Sequence, residues 1–135
     1  MRTASCVVLI LLLASMIGCK HPTRSSDGLP YPLWILELEV VDAASGNPVT
    51  GCPEATFSVE PEHSESTVAC RSGSNELHTY GHLSGIVTVR YVVHCTGYFD
   101  TDPVPVVFDD ANLVQLPDRE GPTQIILERV QMAKR

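Results

Sequence analysis

The chain is 135 residues long, 44% hydrophobic and 19% charged, with 16 Asp and Glu against 9 Lys and Arg and a formal net charge of −7. Binding phosphates takes clustered Lys and Arg, and Arg71, Arg90, Arg119 and Arg129 are isolated from one another, so no nucleic acid is expected as a partner. The same acidity leaves no basic patch for anionic lipid.

At the N-terminus, Arg2 is followed by an apolar run from Cys6 to Ile17, then Gly18 and Cys19. A charged start, a short apolar segment and a small residue before the cut mark a secretory signal, and the run is too short to span a bilayer comfortably. Met16-Ile17-Gly18-Cys19 resembles the bacterial lipoprotein signal, or lipobox, with Met16 where that family commonly has Leu. The resemblance implies that the Cys19 thiol takes a diacylglycerol, that residues 1–18 are removed and that Cys19 becomes the first residue of the mature protein. An ordinary cleaved signal with Cys19 as a spare thiol, or an uncleaved anchor, are the competing readings.

The resemblance also places the protein at the bacterial cell envelope, held to the membrane through acyl chains such as palmitate on Cys19. Lys20 stands where lipoproteins retained at the inner membrane often carry Asp, which points to the outer membrane. Each buried CH₂ contributes about 0.8 kcal/mol, so one chain holds marginally and two or three hold stably. Residues 19–32 then form the lipidated cysteine and a tether, because TRSSDGLPYP (23–32) has no apolar period with which to offset the entropy of ordering it.

From Leu33 on, about a hundred residues are enough for one domain with a core of its own. The segment 34–42 alternates through Leu36, Leu38 and Val40 on one face and Glu37 and Glu39 on the other, the period of a half-buried strand. Ser45-Gly46-Asn47-Pro48 supplies a turn. Ala55, Phe57 and Val59 mark a second strand, broken at Pro61-Glu62-His63-Ser64, with its hairpin partner at 67–71. The run 86–95, with Val87, Val89, Tyr91 and Val93 inward, is the expected central strand. Segments 104–108 and 123–130 add two more, the last alternating through Ile125, Leu127 and Arg129.

No stretch of this domain keeps a helical apolar period for three turns, and prolines recur along it. About seven short strands joined by Gly, Pro, Asn and Ser turns predict an all-β fold, a single antiparallel sandwich over residues 33–131 followed by a short basic tail at 132–135. Against that frame VVDAASGNPVTG (40–51) resembles the opening of the carboxypeptidase regulatory-like domain, a transthyretin-type sandwich, with Ala55-Thr56-Phe57 as the strand that follows. Its later signature is matched by Leu83-Ser84-Gly85-Ile86-Val87-Thr88-Val89, by Gly97-Tyr98 and by Val104-Pro105-Val106. The departure is Ser72-Gly73-Ser74-Asn75-Glu76-Leu77, where the family has an Asp-x-x-Gly turn and an aromatic strand. The resemblance implies a fold of accessory modules and no particular ligand.

Three cysteines remain beyond Cys19. An oxidising compartment favours pairing, and the hairpin near Glu62 and His63 brings Cys70 close to Cys52, so a Cys52–Cys70 bridge is expected, with Cys95 the rival partner for either. Neighbours in a strand point to opposite faces, so His94 is no base for Cys95 and no catalytic residue is assigned. His63, His78, His82 and His94 lack metal-ligand spacing, and Asp100, Asp102, Asp109 and Asp110 lack the frame of a calcium loop; both sets read as surface. Neither metal nor cofactor is expected. The chain therefore reads as a non-enzymatic, lipid-anchored binding or structural module whose partner is an envelope protein or glycan. The alternative is a periplasmic inhibitor or immunity lipoprotein that blocks a hydrolase.

Overall fold

The computed structural model describes residues 32–118 and 121–135. Eight strands follow one another: β1 (Leu33–Asp42), β2 (Glu54–Glu60), β3 (Ser64–Ala69), β4 (Glu76–His82), β5 (Ile86–His94), β6 (Val104–Asp109), the two-residue β7 (Val114–Gln115) and β8 (Pro122–Met132). A single 3₁₀ turn, Asp110–Asn112, connects β6 to β7. The strands form two four-stranded sheets, ordered β4-β1-β8-β7 and β3-β2-β5-β6. This is the expected all-β sandwich, with one difference in pairing. β1 and β8 run parallel along ten residue pairs, from Leu33↔Thr123 to Asp42↔Met132, while the other pairs are antiparallel.

The core lies between the sheets and follows the period of two. In β1, Trp34, Leu36, Leu38 and Val40 are buried while Glu37 is exposed. In β5, Val87, Val89, Tyr91 and Val93 are buried, and the strand lies between β2 and β6 as expected of a central strand. Phe57 and Phe108 fill the middle, and Phe108 packs on Trp34 with ring centroids 5.3 Å apart. Gly81 faces Trp34 across the β1/β4 ladder, where a Cβ would come within 2.6 Å of the indole. Only a residue without a side chain lets the tryptophan lie against that strand.

The motif that opens the domain has a physical basis in the turn after β1. The buried Asp42 carboxylate accepts hydrogen bonds from the Ala44 amide at 3.0 Å, the Ser45 amide at 2.9 Å and the Ser45 hydroxyl at 3.1 Å, and from the Tyr98 hydroxyl at 3.1 Å. Gly46 takes φ +73°, a conformation that side chains disfavour, and the chain returns to set Pro48 against Val41. At the segment that departs from the family pattern, Asn75 meets both backbone groups of Val40. Its carbonyl accepts the Val40 amide and its side-chain amide donates to the Val40 carbonyl, each at 2.9 Å.

The face assigned to β8 requires correction. Ile125 and Leu127, expected inward, are exposed, while Ile126 packs against the core and Val130 and Met132 are buried in it. The run Ile125-Ile126-Leu127 is apolar on both faces, so it carries no phase. Parallel pairing to β1 sets it, by placing Ile126 beside the inward Leu36 and Leu127 beside the outward Glu37.

Candidate functional site

The outer face of the β4-β1-β8 sheet is built from three rungs, each with β1 in the middle. Tyr80, Ile35 and Ile125 form the first; His78, Glu37 and Leu127 the second; Glu76, Glu39 and Arg129 the third. Along this face the surface passes from apolar to acidic. Tyr80, Ile125 and Leu127 are 51%, 40% and 65% exposed, so the apolar end meets solvent. Over the lower rungs runs an open groove of about 330 Å³, lined by Glu37, Glu39, Glu76, His78 and Leu127 with Leu38 and Leu77 at its floor.

The electrostatics of the groove are unbalanced. Glu39 stands directly opposite Glu76, and like charges opposed across a ladder are destabilising. The salt bridges among the described residues are His94–Asp100 and Lys134–Asp42, so none of the three groove carboxylates is neutralised by one. Such a face is suited to receive a group that brings positive charge together with apolar surface. From sequence, Glu37 and Glu39 are legible as outward-facing, but Glu76 and His78 are not attached to them, and Leu127 is assigned to the wrong face. The signal available for Leu127 is the far end of β8, where Val130 and Met132 are apolar and Arg129 and Gln131 polar.

The other sequence-derived candidates fall in several places. Cys19 and residues 19–31 of the tether lie outside the described residues. Cys52, Cys70 and Cys95 come together at one end of the β3-β2-β5 sheet, as three thiols; the bridge expected between Cys52 and Cys70 is not formed. Burial pushes the Cys70 and Cys95 thiols up from their ordinary range, and the neighbouring cysteines add to this. The histidines are dispersed. His63 sits in the β2–β3 turn with φ 53°; His78 and His82 lie four residues apart on β4, about 13 Å along a strand; His94 meets Asp100 at 2.6 Å.

Two of the aspartates have structural roles. Asp109 caps the 3₁₀ turn by accepting from the Ala111 amide at 2.9 Å, and Asp110 accepts from the Gly85 amide at 3.0 Å. Among the described residues no group of three or more His, Cys, Asp or Glu side chains is placed to hold a metal ion. Inside the core, burial and the Glu128 carboxylate push the Tyr91 phenol up to about 12, which keeps it neutral.

No family model matches the chain, and no curated protein does. Solved structures do share its fold. The 3-chlorocatechol 1,2-dioxygenase of Rhodococcus opacus 1CP superposes with a TM-score of 0.56 at 11% identity, over 83% of this chain and 63% of that one. The catechol 1,2-dioxygenase of Acinetobacter sp. ADP1 superposes with a TM-score of 0.54 at 10% identity, over 94% of this chain and 68% of that one. This chain thus spans less than two thirds of the Rhodococcus enzyme. The expectation of a domain with no enzymatic character is corrected by this likeness, because catechol 1,2-dioxygenases are built on the same sandwich. At such identities what the proteins share is the fold, and function resides in the sites placed on it.

Proposed function

We propose that the protein is a lipid-anchored β-sandwich of the bacterial cell envelope that binds a partner protein through the outer face of its β4-β1-β8 sheet. The groove carries this reading: it sets Glu37, Glu39 and Glu76, in no salt bridge among the described residues, beside exposed Leu127. The complementary occupant is a segment in which Lys or Arg alternates with apolar side chains. Opposite potentials steer such an encounter and select the partner, and the apolar contacts supply the burial. The lipobox resemblance at Met16-Ile17-Gly18-Cys19 supports the anchor, and the motif at 40–51 supports kinship with carboxypeptidase regulatory-like modules. An inhibitor of a basic hydrolase would use the same face.

The probe for the groove is a labelled hexapeptide of alternating Lys and Leu, with its Glu and Leu counterpart as control. The full-length protein should bind the first and not the second. The double variant Glu37→Lys, Glu39→Lys should weaken binding at least about tenfold, the result of replacing two attractive charges by two repulsive ones, with the native circular dichroism spectrum retained. Equal binding of both peptides, or binding unmoved by the charge reversal, overturns the assignment of this face.

A further inference from the structure

The three cysteines of the sandwich are arranged about Pro53. One residue beyond Glu54↔Ala69, the β2/β3 register sets Pro53 opposite Cys70, and the Cys70 amide donates to the Pro53 carbonyl at 3.0 Å. One residue beyond Glu54↔His94, the β2/β5 register sets the same Pro53 opposite Cys95. Cys70 and Cys95 therefore lie on opposite sides of it, two strand spacings apart, which is roughly 9–10 Å between Cα atoms. A disulfide spans about 4.4–6.8 Å. Those two cysteines are too far apart to bond to each other.

Cys52 is placed differently. It precedes Pro53, so its Cα is about 3.8 Å from that of the residue that stands between Cys70 and Cys95. The Cys95 thiol donates to the Gly51 carbonyl at 3.4 Å, which ties the segment leading into Cys52 to Cys95. Cys70 and Cys95 both pack against the inner face, continuing the inward series of Val68 and Val93. Cys52 is exposed, and its backbone has φ 58°, outside the conformation of the strand it precedes.

We infer that Cys52 is the shared partner of two mutually exclusive disulfides, one to Cys70 and one to Cys95, and that Cys70 and Cys95 do not pair with each other. The oxidant is a small-molecule disulfide such as oxidised glutathione. The exposed Cys52 thiolate attacks it, breaking its S–S bond, forming a mixed disulfide and releasing one glutathione thiol. The thiolate of Cys70 or Cys95 then attacks the Cys52 sulfur and releases the second glutathione. Two electrons and two protons pass to glutathione for each protein bridge formed. Exchange between the bridges is redox-neutral, since attack of the Cys95 thiolate on the Cys52 sulfur expels the Cys70 thiolate. A bridge to Cys70 clips the edge strand β3 to the start of β2, and a bridge to Cys95 clips the same point to the central strand β5. This inference does not depend on the groove.

The test uses the full-length chain with Cys6 and Cys19 replaced by Ser, purified reduced in detergent and oxidised with glutathione disulfide, followed by thiol counting in denaturant and peptide mapping. The parent protein should pass from three thiols to one, with Cys52 in the bridge. Cys70→Ser should form Cys52–Cys95, Cys95→Ser should form Cys52–Cys70, and Cys52→Ser should form no internal bridge. A mapped Cys70–Cys95 bond, or the absence of a bridge from either of the first two variants, overturns the inference. Each variant is repeated as Ala and checked for the β spectrum, so that loss of folding is distinguished from loss of reach.

Discussion

Asp42 shows how much one side chain does here. Its carboxylate gathers two amides and two hydroxyls, joining the first turn of the domain to Tyr98, 56 residues on. The amide of Ser45 is the leading cause of a pKa held below the ordinary 3.8, and the hydroxyls of Ser45 and Tyr98 act in the same direction against the opposing effect of burial. Desolvation first, then the bond to Asp42, holds the Tyr98 phenol protonated. A carboxyl whose pKa falls on folding stabilises the protein above its unfolded value and loses that contribution as pH falls through the folded one. Urea midpoints measured from pH 7 downward should therefore hold until about pH 5 and decline below about pH 4. In Asp42→Ala the midpoint should be lower at neutral pH, and the gap to the native protein should close as the pH falls below 3.8. A gap that is constant with pH would mean that the ionised carboxylate is not what holds the turn.

Among the elements, β8 decides both the architecture and the groove. As the last strand it inserts beside the first, in parallel, and so completes the sheet whose outer face bears Ile125, Leu127 and Arg129. Its two faces are told apart by truncation. Ile126→Ala should cost about 2 kcal/mol, the low end for a core aliphatic because the residue is only partly buried. Leu127→Ala, at an exposed position, should change stability by about 0.5 kcal/mol or less. Chemical denaturation of the two variants measures the difference, and a larger loss at Leu127 would return the strand to the opposite phase. The groove inherits this phase: shifted by one residue, β8 would set Ile126 beside Glu37 and replace Arg129 beside Glu39 with a further carboxylate, Glu128. Cysteine spacing is likewise a property of strand order, since the position of β2 between β3 and β5 is what puts Cys52 within reach of two thiols.

For the molecule as a whole, the anchor and the sandwich make separable claims. Cys19→Ala should abolish incorporation of labelled palmitate and leave the precursor uncleaved by the lipoprotein peptidase; undiminished labelling would refute the anchor. The all-β class, the core faces of β1 and β5 and the turn at 45–48 were legible in the amino-acid order, because period-two alternation and turn chemistry are local properties of consecutive residues. Three things were not. The phase of Ile125-Ile126-Leu127 is degenerate along the chain and was resolved by a parallel neighbour ninety residues away. The groove joins Glu37 and Glu39 to Glu76, His78 and Leu127, and no rule of spacing relates side chains on three strands until their order in the sheet is known. The approach of Cys95 to Cys52 is of the same kind: the hairpin makes the nearness of Cys70 to Cys52 legible, while the place of β5 beside β2 is known only from the sheet order.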